Sequence, residues 1–314
     1  MKLKIAFRID ISNKIGTGHY YRMNALADAF IIIGHQCDFF KTEDEPVDYS
    51  GYDIIIIDTY EVNDDYIKKI NTPEKLIVCY DDNALYTYDC DVLINANIYA
   101  HELKFRFGAK KPKLLLGGKY ALLRNEFQKA APVKIQEKAN NVFICFGGAD
   151  TQNMTPKIIN ALKNIENIYL HVVLGSYTKN DEEVLNESGE NVIIYKNPDK
   201  ISKVMEKCDI AVTASGTMTY ELASIGLPGI VITQADNQKL ISEYLDEHNI
   251  AIVAGDYKAV NYDILADEVK LLLNDYKKRN DLSKKMFKQV NKHGAKNAAE
   301  KIITIFHKKE EYVR

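Results

Sequence analysis

The chain has 314 residues, of which 46% are hydrophobic and 27% charged, and its formal net charge is −3. This length suits two domains of ordinary size, and the composition excludes a largely disordered chain. The near-balance of charge disfavours nucleic acid as the main partner, and no apolar run is long enough to cross a bilayer. The five cysteines form no CxxC pair, and the N-terminus enters a strand without a signal-peptide block. We therefore expect a cytoplasmic protein with reduced core cysteines and no membrane insertion.

Short uninterrupted runs of Ile, Leu and Val recur along the first 120 residues at intervals that suit helical crossovers. Unlike alternating patterns, such runs predict strands that are covered on both faces, and hence a parallel sheet with flanking helices. The first helix is predicted at 19–33 and is stopped by Gly34. The predicted strands are 3–9, 37–41, 53–58, 76–80, 91–95 and 114–116.

A polar, Lys- and Ala-rich stretch at 128–140 predicts a linker, after which the strand and helix pattern starts again. The last part of the chain, from 262, is helical and Lys-rich, with one segment able to cross back to the first domain. We therefore predict an α/β protein with two Rossmann-like domains, 1–130 and 140–314, whose parallel sheets face each other across a cleft. The later strands are predicted at 142–146, 169–174, 192–195, 210–213, 230–233 and 250–253, and the helices between them at 156–163, 201–207, 218–225 and 240–248.

Two glycines and a histidine lie where the first strand gives way to the first helix. Gly16 and Gly18 permit a sharp turn that brings backbone N–H groups close to a ligand, and the helix start adds a partial positive charge. The same charge disfavours a protonated ring at His19 and keeps the imidazole neutral, as a general base requires. A tight turn with a solvent-facing histidine explains the segment equally well, so the segment alone leaves both interpretations open.

In the second domain, two turns of small residues follow predicted strands and precede helices. Gly147 and Gly148 would present backbone donors to a diphosphate, although the absence of GxGxxG argues against a dinucleotide cofactor. Ser215 and Thr217 offer hydroxyls that suit phosphate oxygens, and Glu221 could accept both hydroxyls of a ribose. The alternative is an N-cap followed by a solvated helix glutamate.

Polar side chains also follow three other predicted strands. Asn237 and Gln238 offer amides that orient sugar hydroxyls or water, or else cap a helix. The segments 58–60 and 81–82 end strands of the first domain, where their side chains could point into the cleft. No further ligand cluster accompanies these acids, so we predict no metal site. Neither a GxSxG elbow nor an HExxH helix occurs.

Taken together, these motifs resemble the nucleotide-sugar hydrolases of pseudaminic acid biosynthesis and the related spore-coat polysaccharide proteins. The resemblance spans both predicted domains in order and spacing. It departs at Thr17, where an aromatic residue is sometimes found, and at Asn83, where some members have a third acid, and these departures weaken any assignment of the particular sugar. The matching segments are 7–10, 15–19 with Arg22, 58–60, 81–82, 95–97, 121–127, 147–150, 214–221 and 237–238.

The resemblance implies a GT-B-type fold, similar to that of the glycosyltransferase MurG. It also implies hydrolysis of UDP-2,4-diacetamido-2,4,6-trideoxy-β-L-altropyranose to free sugar and UDP. We expect inversion by a water that His19 activates, no cofactor, and a monomer. A GT-B glycosyltransferase with a UDP-sugar donor and a non-catalytic nucleotide-sugar-binding protein are the alternatives. The residues expected to act in catalysis are His19, Tyr60 and Asn237, and those expected to bind substrate or shape its loop are Asp10, Gly16, Gly18, Arg22, Gly147, Gly148, Ser215, Gly216, Thr217, Glu221 and Gln238.

Overall fold

The computed structural model describes residues 2–10, 18–41, 44–59, 64–70, 72–84, 87–108, 110–179 and 181–313. They form two compact units. The first comprises Met1–Asn125 together with Asn291–Arg314, and the second comprises Glu126–Val290. Each unit is built around a six-stranded parallel sheet.

The first unit orders its main sheet β2-β1-β3-β4-β6-β8, and β5 and β7 form a separate two-stranded ribbon. All residues of β3 and β4 are buried, as uninterrupted Ile and Val runs predict for strands covered on both faces. The strands are β1 (Lys4–Ile9), β2 (Gln36–Lys41), β3 (Ile54–Asp58), β4 (Leu76–Tyr80), β5 (Thr87–Tyr88), β6 (Val92–Asn95), β7 (Arg106–Phe107) and β8 (Lys113–Leu116).

The second unit orders its sheet β11-β10-β9-β12-β13-β14. Apolar side chains of β9, β10, β12 and β13 pack with apolar side chains of the neighbouring helices in one core. The strands are β9 (Asn141–Cys145), β10 (Tyr169–Leu174), β11 (Val192–Lys196), β12 (Ile210–Ala214), β13 (Gly229–Thr233) and β14 (Ile252–Asp256).

A helix is found at each of the five predicted segments, 19–33, 156–163, 201–207, 218–225 and 240–248, with ends that differ by two residues or fewer. In the described residues, no helix is both long enough and apolar enough to span a membrane. Short 3-10 turns lie at Ala100–Glu102, Gly118–Tyr120 and Asp236–Gln238. The helices are α1 (Gly18–Ile32), α2 (Asp64–Ile70), α3 (Asn125–Lys129), α4 (Met154–Leu162), α5 (Asp181–Glu187), α6 (Ile201–Met205), α7 (Thr217–Ile225), α8 (Lys239–Glu247), α9 (Tyr262–Asn274), α10 (Tyr276–Phe287) and α11 (Gly294–Val313).

The C-terminal helix α11 belongs to the first unit. Its buried residues Ala298, Ile302 and Phe306 share a core with Leu26 and Phe30 of α1. Residues 291–314 therefore lie outside the second domain to which the sequence prediction of 140–314 assigned them. The physical reason is the apolar face of α11, which is covered by α1.

Strand order marks one place in each unit where a ligand is expected. In the first unit the direction of winding reverses between β1 and β3, and in the second it reverses between β9 and β12. Open α/β sheets bind ligands outside the carboxyl ends of the strands at such a switch point. The predicted site residues follow these four strands or lie in the helices that come next, with the exception of Asn237 and Gln238, which follow β13.

Candidate active site

A buried histidine and a buried carboxylate meet at the switch point of the first unit. Asp58 is the last residue of β3, and His19 lies in the first turn of α1. His19 Nδ1 lies 2.9 Å from Asp58 Oδ1, and the two residues are 5% and 1% exposed. Nδ1 also lies 3.1 Å from Arg22 Nη2, so the tautomer determines which of the two contacts is a hydrogen bond. With its proton on Nδ1, the ring donates to Asp58. The lone pair of the neutral ring then lies on Nε2, which is the form that can accept a proton.

Arg22 holds the same carboxylate from the next turn of α1. The spacing of three residues places Arg22 and His19 on one helix face. Its Nε donates to Asp58 Oδ2 at 2.7 Å and its Nη2 to Asp58 Oδ1 at 2.5 Å, a two-pronged contact. Its Nη1 donates to Asp82 Oδ2 at 2.8 Å, and the guanidinium carbon lies 4.1 Å from the centre of the Tyr80 ring. Every nitrogen of this guanidinium thus contacts a carboxylate of the protein.

These contacts fix the charges of the cluster. Burial acts to raise the pKa of Asp58, but Arg22 and His19 outweigh it and hold that pKa down to about 2. Burial likewise acts to lower the pKa of Arg22, yet the charges of Asp58 and Asp82 keep it well above its ordinary value. Burial raises the pKa of the Tyr80 phenol. Asp58 is therefore ionised, Arg22 protonated and Tyr80 neutral near pH 7.

The two acids after β4 have different partners. Asp82 reaches Arg22, and its Oδ1 accepts a hydrogen bond from Asn97 Nδ2 at 3.1 Å. Asp81 instead accepts from Tyr88 Oη at 2.6 Å and from the Ala84 N–H at 2.7 Å. Asp82 therefore belongs to the charged cluster, whereas Asp81 stabilises its own turn.

Asp10 ties the ends of β1 and β3 together. Arg8 Nη1 donates to Asp10 Oδ1 at 3.1 Å, and the Thr59 hydroxyl donates to the other oxygen of the same carboxylate. Arg8 also donates through Nε to Glu45 Oε1 at 2.9 Å. Asp10 was expected to bind substrate or shape its loop. In the structure its carboxylate accepts hydrogen bonds from Arg8 and Thr59.

Three further predicted residues belong to this part of the chain. Gly18 is the first residue of α1. Gly16 and Tyr60 lie outside the described residues, so their expected roles stay predictions.

In the second unit, the loops after β9 and β12 leave the sheet side by side, because these strands are neighbours. Gly147 has a φ of +84°, a left-handed backbone that favours glycine, and Gly147 and Gly148 are half-buried. Gly216 immediately precedes α7, whose first residue, Thr217, is exposed. The N–H groups at a helix start attract anions, so this pair of loops suits phosphate oxygens.

The side chain of Ser215 turns away from this helix start. Its hydroxyl accepts a hydrogen bond from the Ser242 hydroxyl at 2.7 Å, and its N–H donates to the Ile232 carbonyl at 3.0 Å. Ser242 in turn contacts the Thr233 hydroxyl at 2.6 Å. The fully buried Ser215 therefore stabilises the turn from inside.

The amide residues after β13 lie against the same turn. A Cβ on Gly216 would come within 3.4 Å of Gln238 Nε2, and Gln238 Oε1 accepts from the Gln234 N–H at 2.9 Å. Asn237 is exposed, and Glu221 of α7 is buried. The structure thus brings Gln238 to the helix start that follows β12.

Sequence reasoning missed several residues of these sites. Asp58 and Asp82 were noted as acids at strand ends but were not paired with His19 or Arg22. In the second unit, the buried atoms Thr219 Oγ1 and Gln234 Nε2 have no hydrogen-bond partner among the described residues. The sequence pattern does not reveal which side chains meet at the strand ends, because these contacts depend on which strands are neighbours in the sheet.

No cluster of three or more metal-ligating side chains occurs in the described part of the chain. The predicted nucleotide-binding and catalytic residues instead divide into an acid–base cluster in the first unit and two Gly-containing turns in the second.

Solved structures of similar fold are GT-B glycosyltransferases. MurG of Acinetobacter baumannii has a TM-score of 0.67 at 14% identity and covers 96% of this chain and 99% of its own. The spinosyn rhamnosyltransferase SpnG has a TM-score of 0.61 at 10% identity and covers 96% and 100%. The chain therefore has the predicted GT-B-type fold.

Residues 141–302 match the model of the glycosyltransferase family 28 C-terminal domain, and the chain belongs to this family. An uncharacterized protein of Methanocaldococcus jannaschii, MJ1062, is 29% identical over 276 residues, which cover 76% of this chain. This chain spans only 57% of the length of that relative.

Two further relatives confirm the resemblance noted in the sequence. The UDP-2,4-diacetamido-2,4,6-trideoxy-β-L-altropyranose hydrolase of Campylobacter jejuni is 24% identical over 266 residues, covering 77% of this chain and 96% of the hydrolase. The spore coat polysaccharide biosynthesis protein SpsG of Bacillus subtilis is 22% identical over 240 residues, covering 74% and 70%. The chain is thus similar to a hydrolase of a UDP-linked sugar and to a protein of polysaccharide biosynthesis.

Proposed function

We propose that this protein hydrolyses a UDP-linked diacetamido-trideoxy hexose to the free sugar and UDP. The substrate that the C. jejuni relative is named for, UDP-2,4-diacetamido-2,4,6-trideoxy-β-L-altropyranose, is the first candidate. The observation that carries the proposal is the 2.9 Å contact between His19 Nδ1 and Asp58 Oδ1 at the switch point of the first unit. This contact would orient an imidazole that can accept a proton, at the strand ends where open α/β sheets bind their ligands.

The chemistry requires one base and one stabilised leaving group. The anomeric carbon already carries a diphosphate, which leaves readily once its charge is stabilised. His19 Nε2 takes a proton from water as the water oxygen bonds to the anomeric carbon. The bond from that carbon to the phosphate oxygen breaks on the opposite face, so the configuration inverts, and Asp58 stabilises the imidazolium. Direct attack by water needs no covalent intermediate and no second carboxylate nucleophile.

The second unit would bind the nucleotide. Backbone N–H groups at Gly147 and Gly148 and at the start of α7 suit the two phosphates. Glu221 would bind the ribose, as the resemblance implies, and the exposed Thr217 hydroxyl would supplement the helix start. Ser215 holds the turn through its inward hydrogen bonds.

The sugar would be oriented by Asn237, Gln238 and, from the first unit, Tyr60. A Cβ on Gly216 would lie 3.4 Å from Gln238 Nε2, and this proximity supports a place for Gln238 beside the diphosphate. Asp10 and Arg22, whose polar atoms contact protein groups, would shape the loop that carries His19.

The test is an incubation of the purified protein with a panel of UDP-diacetamido sugars in the absence of any acceptor. NMR should show UDP and free sugar appearing together. The H19A variant should lose roughly 10²- to 10⁴-fold in turnover, the range expected for removal of a general base. Turnover of H19A within a few-fold of wild type, with its circular dichroism spectrum unchanged, would overturn the mechanism.

Glycosyl transfer is the second candidate, and the family 28 domain and the MurG-like fold favour it. A transferase on this fold would release UDP only when an acceptor is added. A non-catalytic binding protein would bind UDP and release none from any substrate of the panel.

A further inference from the structure

We infer that the ring of Tyr177 stacks on the uracil base of the nucleotide, and that this tyrosine is therefore a binding residue for the base. The inference rests on the proposed function for the identity of the ligand as a uridine diphosphate. Its structural basis is an aromatic side chain, 54% exposed, in the turn that follows β10 at the carboxyl end of the sheet.

The turn that carries Tyr177 is joined to the loop after β9. The Tyr177 N–H donates to the Gly148 carbonyl at 2.9 Å, and a Cβ built on Gly175 would lie 2.5 Å from the Gly148 Cα. The strands β9 and β10 are parallel neighbours, and neighbouring strands lie about 4.8 Å apart. Tyr177 therefore lies beside the loop that is proposed to bind phosphate.

The same turn is also fixed on its other side, to the turn after β11. Ser176 Oγ donates to Asn197 Oδ1 at 2.7 Å, and the Asn197 N–H donates to the Leu174 carbonyl at 2.8 Å. The backbone of Tyr177 is thus held from two directions by protein contacts. A platform that is positioned in advance loses less conformational freedom when a ligand binds, so more of the contact energy contributes to affinity.

The order of the strands gives the direction in which the nucleotide would lie. The sheet contains β10, β9, β12 and β13 as successive neighbours. The diphosphate is proposed to bind the loops after β9 and β12, and the hexose to contact Asn237 and Gln238 after β13. In a UDP-sugar the hexose and the nucleoside are attached to opposite ends of the diphosphate. The nucleoside therefore extends toward β10, where Tyr177 lies.

The chemistry of the side chain fits a base at that position. Stacking on a base removes the exposed apolar ring from water, and base–aromatic stacking is typically worth about 5- to 150-fold in affinity. Every nucleobase has a π-face, so this contact contributes affinity without selecting uracil. The hexose is not the expected partner of the ring, because its proposed ligands follow β13 on the other side of the diphosphate loops.

The experiment measures by titration calorimetry the Kd for UDP and for ribose 5-diphosphate, which lacks the base. Y177A should bind UDP about 5- to 150-fold more weakly and ribose 5-diphosphate as tightly as wild type does. Y177F keeps the ring and should bind both ligands as wild type does. The matched control is Y169A, which removes a ring that is 48% exposed at the opposite end of the same strand and should leave both affinities unchanged.

UDP affinity of Y177A equal to that of wild type would overturn the inference. An equal loss for UDP and ribose 5-diphosphate would also overturn it, because the turn would then act only through the phosphate loop. The proposed function fails separately. A base-dependent loss in Y177A, in a protein that hydrolyses no UDP-sugar, would support the stacking and refute the hydrolase. Hydrolysis together with unchanged UDP binding by Y177A would support the hydrolase and refute the stacking.

Discussion

At the scale of single residues, Asp58 determines what His19 can do. It is nearly inaccessible, it accepts hydrogen bonds from Arg22 and His19, and these neighbours hold its pKa at about 2 against the effect of burial. Asp58 therefore remains ionised at every pH at which the enzyme would work. An ionised carboxylate at Nδ1 favours the tautomer that donates from Nδ1 and has its basic lone pair on Nε2.

The D58N variant tests this role. A carboxamide keeps the shape but loses the charge, and its NH₂ group can face Nδ1, which would place the ring proton on Nε2. We expect kcat to fall roughly 10²- to 10⁴-fold with little change in KM, because the base is lost and binding is not.

The control for D58N is D91N, the same substitution on a buried acid of the same unit. Asp91 is paired with Lys110 and Lys309 rather than with His19. A steady-state assay should find D91N close to wild type in kcat. A D58N enzyme with nearly wild-type kcat would contradict the assigned role of the carboxylate.

Part of this cluster could be predicted from the sequence. The glycines and the helix start single out His19, and the end of a buried strand singles out Asp58. Their pairing could not be predicted, because it depends on β1, β3 and β4 lying next to one another in that order. The division of labour between Asp81 and Asp82 depends on side-chain direction at the strand end, which the chain pattern does not specify.

At the scale of elements, the loop after β9, which is proposed to bind phosphate, depends on close packing against the loop after β10. Gly175 follows β10, and a Cβ built on it would lie 2.5 Å from both the Cα and the carbonyl oxygen of Gly148. Tyr177 also donates its N–H to the Gly148 carbonyl at 2.9 Å. The loop after β10 therefore sets the position of the loop after β9.

The G175A variant should consequently weaken UDP binding. The added methyl group must displace Gly148, whose backbone is proposed to contact a phosphate. We expect the Kd for UDP, measured by titration calorimetry, to rise about tenfold, equivalent to 1.4 kcal/mol.

The matched substitution is G51A, in the first unit, where a Cβ would meet no atom within 4 Å. It should leave the Kd for UDP unchanged. Equal affinity of G175A and wild type would refute the proposed phosphate contact at Gly148.

Most elements could be predicted because buried parallel strands are uninterrupted apolar runs. β4 and β10 begin and end at the predicted residues. The short helices α2 and α5 were not predicted, because their sequences DDYIKKI and DEEVLNE are highly charged and carry few apolar residues to form a stripe. Their helical form depends on tertiary context rather than on local pattern.

At the scale of the whole molecule, each unit contains a histidine whose pKa is lowered by burial. His171 lies on β10 and is 5% exposed, with Nδ1 3.1 Å from the Tyr195 hydroxyl and Nε2 3.0 Å from Asn141 Oδ1. Burial and then the charge of Lys207 lower its pKa below the ordinary 6.5. The pKa of His35 in the first unit is lowered as well, mainly by burial.

Stability should therefore decrease as the pH falls. Below about pH 6.5 the unfolded chain binds protons at these histidines while the folded chain does not, so acid favours unfolding. Urea denaturation between about pH 7.5 and 5 should show a falling midpoint for wild type and a weaker dependence for H171Q. The opposite sign, a midpoint that rises as the pH falls, would contradict this account.

The C-terminal helix α11 belongs to the first unit, although it follows the second unit in the sequence. The sequence indicates that the C-terminal region is helical, but its apolar stripe does not say which helix will cover it. The structure pairs α11 with α1, so the segment that begins at residue 291 completes the unit that carries His19. The last helix is therefore part of the structure that supports the proposed base.

The most direct test of the central claim is hydrolysis of the UDP-sugar in H₂¹⁸O without an acceptor, followed by 31P NMR of the released UDP. In the proposed mechanism, water activated by His19 attacks the anomeric carbon and the bond between that carbon and the phosphate oxygen breaks, so the UDP should contain no ¹⁸O. The free sugar is not used as the readout, because its anomeric hydroxyl exchanges with solvent. An isotope shift at the β-phosphate, or no UDP release until an acceptor is added, would contradict the proposed hydrolase.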